Sequence, residues 1–87
     1  MVKIKEMSGL NYFIPTNEIG GGGRTEPPHI HVCKGSKQSR GSTAFWLDPI
    51  KLKRDNGDFS SYELREIERQ VKENRDLFLK EYKRIHG

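Results

Sequence analysis

The sequence has few features that would stabilise or anchor the chain from outside its own core. It contains one cysteine, Cys33, so it forms no internal disulfide, as is typical of proteins in a reducing cytoplasm. No apolar run approaches the roughly 18 residues of a membrane-spanning helix, and residues 1–6 lack the apolar segment of a secretory signal. Only 32% of the 87 residues are hydrophobic. We therefore expect a single cytoplasmic domain over residues 1–87, with no membrane contact.

Basic charge is concentrated in the middle of the chain. The formal net charge is +4, and seven basic residues lie between Arg24 and Arg54 against two acidic ones, Glu26 and Asp48. A patch of this kind favours nucleic acid or other acidic partners, although solubility alone also explains it. The candidate nucleic-acid contacts are Arg24, Lys34, Lys37, Arg40, Lys51 and Lys53.

The C-terminal third predicts one long amphipathic helix over about residues 61–84. Ser60 and Glu63 have the spacing of a capping box, in which each side chain binds the backbone N–H of the other residue. Apolar residues follow at helical spacing, with Asn74 interrupting the stripe. The apolar face of this helix requires a surface to cover, which the rest of the chain must supply.

The remainder of the chain has the patterns of short β-strands. Alternating or β-rich segments span residues 10–14, 29–33, 43–47 and 50–53, and each ends at a turn-forming cluster such as Asp48-Pro49. Residues 2–7 would add a short edge strand, and an edge strand would allow a homodimer. We expect an α+β domain in which a small antiparallel sheet of three to four strands packs against the one long C-terminal helix.

Two segments predict loops. Residues 19–27 form a flexible Gly-rich loop in this interpretation, because Gly20 to Gly23 hold no preferred conformation. A glycine cluster can bind an anion. This one lacks the Lys-Ser/Thr pair and the following helix of a phosphate-binding loop, so a linker is the better interpretation. Residues 35–42 are the second loop.

The strand at residues 29–33 carries the candidate chemistry. Because strand side chains alternate, His29, His31 and Cys33 share one face, whereas Ile30 and Val32 share the other. If the Ile30 and Val32 face meets the helix, the histidine face is directed away from the core. Two imidazoles and a thiol on an uncovered face suggest a site.

The histidines allow three functions. As a general acid–base pair, His29 and His31 would act beside a phosphate held by Lys34, Arg40 and Lys53, as in a metal-independent ribonuclease. As metal ligands, they would need a third residue. Plain RNA or DNA binding would use aromatic rings beside the basic strand face. The third metal ligand would be Glu18, Glu26 or His86, and the stacking rings Tyr12, Phe13 or Trp46.

A purely structural role for the histidines stays open beside these functions. Paired strand histidines are often surface residues or hydrogen-bond partners that fix a loop. Cys33 is interpreted as a small strand residue because no acid–base partner is placed near it by sequence. No cofactor and no metal is assigned to the chain.

Several motifs together resemble a family of small bacterial proteins, domain of unknown function 4160. They are residues 13–18, the Pro-Pro-His-Ile-His-Val stretch at 27–32, the Phe-Trp-Leu-Asp-Pro stretch at 45–49, and a helix with Glu73-Asn74-Arg75 that ends in Tyr82 and His86-Gly87. The resemblance covers residues 10–87. The chain departs from the family pattern where Ile19 follows Glu18 in place of a histidine, which weakens the metal interpretation.

The resemblance implies a partner. Members of the family look like one component of a two-gene module similar to a toxin–antitoxin pair, with a second small protein encoded alongside. The leading expectation is a toxin-like component that binds or cleaves RNA through the histidine-bearing face. In that case, changing His29 and His31 to alanine would abolish growth inhibition and spare the fold. The alternative is a non-enzymatic protein-interaction module, on the antitoxin side or as a partner-binding subunit, with structural histidines.

Overall fold

The computed structural model of the chain describes residues 2–15, 27–35 and 41–86. The described residues form five strands and two helices, so the α+β class is confirmed. The predicted Gly-rich loop lies outside the described residues except for Pro27, as does most of the second predicted loop, residues 36–40. The elements are β1 (Val2–Met7), β2 (Leu10–Ile14), β3 (His29–Lys34), β4 (Thr43–Leu47), β5 (Ile50–Arg54), α1 (Ser61–Glu73) and α2 (Arg75–His86).

The strands form one antiparallel sheet in chain order, β1-β2-β3-β4-β5. Two of the connections are two-residue turns, Ser8-Gly9 and Asp48-Pro49, and such tight hairpins place consecutive strands side by side. Both Ser8 and Gly9 have positive φ angles, of 53° and 76°, which is the backbone conformation that a two-residue hairpin turn of this type requires. The prediction of three to four strands is therefore too low, because the edge segment at residues 2–7 is a full strand.

Each of the two edge strands contains one extra residue. In β1, Lys3 pairs with Phe13 and Lys5 pairs with Tyr12, so Ile4 has no opposite residue. In β5, Leu52 pairs with Phe45 and Arg54 pairs with Ala44, so Lys53 is the extra residue. These register shifts are β-bulges, which bend a strand and leave the inserted residue outside the regular ladder.

One face of the sheet packs against the helices. The core side chains of this face come from alternate positions on β2, β3 and β4, and α1 and α2 cover them. Tyr12 connects the two layers, because its hydroxyl donates to Gln70 Oε1 at 2.6 Å and its ring stacks on Phe78 at a centroid distance of 5.4 Å. The buried core consists of Tyr12, Ile14, Ile30, Val32, Phe45, Leu47, Phe59, Ile67, Val71 and Phe78.

The prediction of one long C-terminal helix is wrong, because the helix is interrupted at Asn74. The backbone of Asn74 has left the helical region, with φ −111° and ψ 16°. Its side-chain amide donates to the carbonyl of Gln70 at 2.8 Å, which gives the end of α1 a local hydrogen bond. The interruption separates two packing surfaces, since α1 lies against β4 and β5 whereas α2 lies against β3 and β4.

The capping box predicted at the start of the helix is confirmed. Ser60 Oγ accepts from Glu63 N at 3.2 Å, and Glu63 Oε1 accepts from Ser60 N at 2.9 Å. We expect Ser60→Ala to lower the free energy of unfolding by about 1 kcal/mol, the usual loss when a serine cap is removed. Urea denaturation measures this loss. Ser61→Ala, the same change one residue further on, is the matched control, and equal effects of the two changes would contradict the role of the cap.

The cap also predicts a dependence on pH. The hydrogen bond from the Ser60 backbone, followed by the interaction with Lys34, lowers the pKa of Glu63 below its ordinary value of 4.5. A lowered carboxyl pKa stabilises the folded state above the unfolded value, and this contribution is lost as the pH falls through the folded value. The contribution of the Glu63 carboxylate to stability should therefore be largest above pH 4.5 and decrease in more acidic solution, and urea denaturation of the wild type and Glu63→Gln at several pH values measures it.

Candidate functional site

The candidate residues alternate with the core residues along β2, β3 and β4, so they lie on the other side of the sheet from the main core. The register places Phe13 and Ala44 on either side of His31, and Trp46 beside His29. Residues directly opposite each other in a sheet share a face, so these side chains belong to one surface together with Cys33. The prediction that alternation brings His29, His31 and Cys33 to the same face agrees with this pairing. We call this surface the histidine face.

The interpretation of this face as uncovered is wrong. The side chains of His29 and His31 are both 0% exposed, and Cys33 is 3% exposed. Rings from the neighbouring strands contribute to the burial, with Phe13 at 5.3 Å from the His31 centroid and Trp46 edge-on to His29 at 5.7 Å. Alternation assigns a side chain to a face, but it does not determine what lies over that face.

His29 is held by a backbone carbonyl and by three rings. Its Nδ1 lies 2.9 Å from the carbonyl oxygen of Pro27, so this nitrogen carries the hydrogen that is donated. The imidazole lies 5.3 Å from the ring of His31 and 5.5 Å from that of Tyr82, in addition to the Trp46 contact. This arrangement fixes the beginning of β3 to helix α2.

The third histidine, His86, joins the same group of rings. Its ring lies 4.5 Å from Tyr82, and its Nε2 lies 3.0 Å from the carbonyl oxygen of Pro15, to which it donates. A continuous series of rings therefore connects β3 to the end of α2. We define the imidazole cluster as His29, His31, Trp46, Tyr82 and His86.

One of the three candidates for a third metal ligand lies among the described residues. His86, one of the three candidates for a third ligand, uses its Nε2 on the Pro15 carbonyl. The other two candidates, Glu18 and Glu26, lie outside the described residues. Within residues 2–15, 27–35 and 41–86, no three His, Cys, Asp or Glu side chains are grouped as metal ligands would be.

Cys33 has the surroundings of a packing residue. Its Sγ lies 3.6 Å from the carbonyl oxygen of Gly35. Burial, and secondarily the charge of Asp58, raises the pKa of the thiol. Since the thiolate is the nucleophilic form of cysteine, a raised pKa and a buried sulfur both disfavour reaction at this residue.

The comparison with known proteins identifies the family. The sequence model described as Domain of unknown function (DUF4160) matches residues 12–83, which is most of the chain. The chain belongs to the DUF4160 family. No curated protein matches it, and no solved structure does. The DUF4160 match spans β2 to α2 and therefore contains four of the five members of the imidazole cluster, all except His86.

The structure separates the basic residues predicted for this DUF4160 chain. Lys34 is engaged by the helix layer, because its Nζ lies 3.3 Å from Glu63 Oε2 and 5.1 Å from the centroid of Phe59. Lys51 is opposite Trp46 in the register, and Lys53 Nζ lies 5.1 Å from the centroid of the Trp46 ring. Arg24, Lys37 and Arg40 lie outside the described residues.

Tyr82, which lies between His29 and His86 in the imidazole cluster, is not among the site residues predicted from the sequence. Its helical spacing assigned it to the apolar stripe, and it does pack against the core. The same ring also contacts His29 and His86. The pairing of a strand histidine with a helix tyrosine depends on where α2 crosses the sheet, which no local pattern encodes. Of the helices in the described part of the chain, none is long and apolar enough to span a membrane.

Proposed function

We propose that this DUF4160 chain is a non-enzymatic subunit of a small bacterial two-gene module, which acts in the cytoplasm by binding a second small protein. Its histidines are structural in this proposal. The supporting observation is that His29 and His31 are 0% exposed. A general acid or base must come within hydrogen-bond reach of the substrate proton, directly or through one water molecule. The two-gene setting rests on the family resemblance.

The contacts of His29 support a structural role. Its Nδ1 donates to Pro27, and its ring packs against Tyr82 of α2. A buried imidazole with a hydrogen bond to a carbonyl and rings around it is a satisfied core residue, since buried polar groups in native proteins are normally paired. These contacts join the strand to the helix, which explains the position of the histidine without any substrate.

A second candidate function is the toxin-like action on RNA that the sequence favours. Its support is the group of basic side chains on the Trp46 face of β5, where Lys51 and Arg54 are opposite Trp46 and Ala44 and Lys53 lies against the indole ring. The Lys53 ammonium lies over the Trp46 indole, and His29 also contacts this ring. These two contacts leave less of the indole for a base to stack on. Phosphate contact therefore suits this surface better than base stacking.

The test separates the two functions with one conservative variant. In His29→Asn/His31→Gln, the asparagine amide replaces the Nδ1–H that donates to Pro27, and neither side chain can act as an acid or base near neutral pH. We expect the purified wild-type protein and this variant to leave total RNA equally intact. Growth after induced expression should also be the same for both. Degradation of RNA by the wild type and not by the variant would overturn the proposal.

The same samples test simple RNA binding. If the lysines hold phosphate, Lys51→Ala/Lys53→Ala should lose the mobility shift of RNA at low salt, whereas the histidine variant keeps it. Both lysines lie on the edge strand β5, and Lys51 is exposed. The change should therefore leave the fold in place.

A further inference from the structure

Residues 55–58 lie between β5 and α1 and have the sequence Asp-Asn-Gly-Asp. All of them are exposed. Of the four asparagines in the sequence, only Asn56 is followed by glycine. Asparagine is one of the chemically labile residues of proteins. Its side-chain amide is lost most readily before glycine, because glycine has no side chain to shield its backbone nitrogen. Asn56 is therefore the asparagine at which this reaction is sterically least hindered.

The segment is closed by hydrogen bonds among its own residues. Gly57 N donates to Asp55 Oδ1 at 2.9 Å, and Asp58 N donates to Asn56 Oδ1 at 3.0 Å. These are two consecutive Asx-turns, in which a side-chain oxygen accepts from the backbone two residues further on. Asn56 Nδ2 also donates to Asp58 Oδ2 at 3.0 Å. We call residues 55–58 the Asx loop.

A buried threonine fixes the Asx loop to the sheet. Thr43 of β4 is 0% exposed, and its hydroxyl donates to Asn56 Oδ1 at 2.7 Å. The same hydroxyl oxygen accepts from Asn56 N at 3.3 Å. One hydroxyl group therefore holds both the side chain and the backbone of Asn56.

Loss of the Asn56 amide requires changes that these hydrogen bonds oppose. The backbone nitrogen of Gly57 gives up its proton and bonds to Cγ of Asn56, the bond from Cγ to Nδ2 breaks, and ammonia leaves with the proton. Water then opens the succinimide ring to aspartate or isoaspartate, with no change of oxidation state. In the closed loop a carboxylate holds the Gly57 N–H, which disfavours its deprotonation. The partners of Asn56 Oδ1 restrict rotation of the side chain toward this nitrogen.

We propose that Asn56 is a site of spontaneous deamidation, which the closed Asx loop protects and a locally opened loop exposes. Exposed connections open at a lower free energy than the strands and helices of a core, so this opening does not require global unfolding. The modification belongs to the chain itself and needs no reactant other than water.

The product of the reaction does not restore the loop. A carboxylate at position 56 lacks the amide donor, and it faces the Asp58 carboxylate across what was a hydrogen bond of 3.0 Å. Isoaspartate also lengthens the backbone by one carbon atom, which displaces the groups that bind Thr43. Deamidation thus makes a reversible opening permanent at the point where the chain approaches α1.

The experiment follows deamidation of the whole chain at neutral pH by mass spectrometry of the intact and the digested protein. A synthetic peptide of residues 53–60 gives the rate of the unprotected sequence. We expect the wild type to react at least about tenfold more slowly than the peptide. Thr43→Val and Asp55→Ala, which remove the two restraints, should each react about fivefold faster than the wild type or more.

Two controls separate opening of the loop from unfolding of the chain. Ile67→Val weakens the buried core without touching the Asx loop, and it should leave the rate at Asn56 unchanged. Asn74, in the same digest, should stay unmodified in every variant. Equal acceleration by Ile67→Val and Thr43→Val would show that global unfolding exposes the amide, which would overturn the proposal. A wild-type rate equal to or above that of the peptide would do the same.

A second measurement tests the effect of the product. Asn56→Asp should lower the midpoint of urea denaturation, because two carboxylates then face each other in the loop. Asn56→Asp/Asp58→Asn restores one amide and one carboxylate with their positions exchanged, and it should recover most of the wild-type midpoint. A wild-type midpoint for Asn56→Asp alone would contradict the claim that deamidation keeps the loop open.

Discussion

The double change His29→Ala/His31→Ala is expected to unfold most of the protein at 37 °C. Both side chains are completely buried, and their rings lie 5.3 Å apart. Removing a buried ring leaves a cavity and costs about 3 kcal/mol or more per site. A chain of this length has a total stability of about 4–13 kcal/mol. Even with non-additivity between contacting sites, the pair removes a large share of that total.

This expectation replaces the one drawn from the sequence, in which the double alanine variant keeps its fold. Urea denaturation followed by far-ultraviolet circular dichroism measures the loss, and the fluorescence of the single tryptophan, Trp46, reports on contact with His29. Lys51→Ala/Lys53→Ala is the control, since it changes two residues of the edge strand. A histidine variant with the wild-type midpoint would show that the two rings contribute nothing to the core.

Phe78→Ala is expected to have the next largest effect, a loss of about 3–5 kcal/mol in the free energy of unfolding. Phe78 is fully buried on α2, and its ring stacks on Tyr12 of β2. Tyr12 in turn donates its hydroxyl to Gln70 of α1, and burial raises the pKa of this phenol, so it stays protonated as a donor. Loss of the Phe78 ring therefore opens a cavity at the point where both helices meet the sheet.

Leu77 provides the comparison for this prediction, because it is the adjacent residue and is 37% exposed. Leu77→Ala should lower the free energy of unfolding by less than about 1 kcal/mol, since little apolar area is lost from the core. Thermal and urea unfolding of the two variants, made under the same conditions, measure the difference. Similar losses for both changes would contradict the packing of α2 through Phe78.

The sequence predicts the local elements well because they depend on neighbouring residues. Alternating or β-rich segments that end at turn-forming clusters identify β2 to β5, and the Ser60–Glu63 spacing places the start of α1 at its observed residue. The break between α1 and α2 is harder to predict from the sequence. Asn74 interrupts the apolar stripe, but the periodicity resumes at Leu77 and Phe78, so the pattern resembles one helix with a polar position. The Asn74 side chain donates a hydrogen bond to the Gln70 carbonyl at the end of α1, and the spacing of apolar residues does not show this bond.

The candidate site could be predicted only in part, for the same physical reason. The shared face of His29, His31 and Cys33 follows from alternation, whereas their burial depends on contacts with other elements, such as that of Phe13 with His31. The basic charge of Lys34 predicts a phosphate contact. In the structure its ammonium lies beside the Glu63 carboxylate, which the packing of α1 brings near. Contacts between distant parts of a chain are set by the fold, and a single sequence does not show them.

The two bulges determine how the sheet can meet other molecules. Ile4 in β1 and Lys53 in β5 are inserted residues at the two outer strands of the sheet. A strand with an inserted residue cannot offer an unbroken row of backbone donors and acceptors, which is one way in which natural proteins prevent edge-to-edge aggregation. Both outer strands are therefore poor templates for pairing with a further strand.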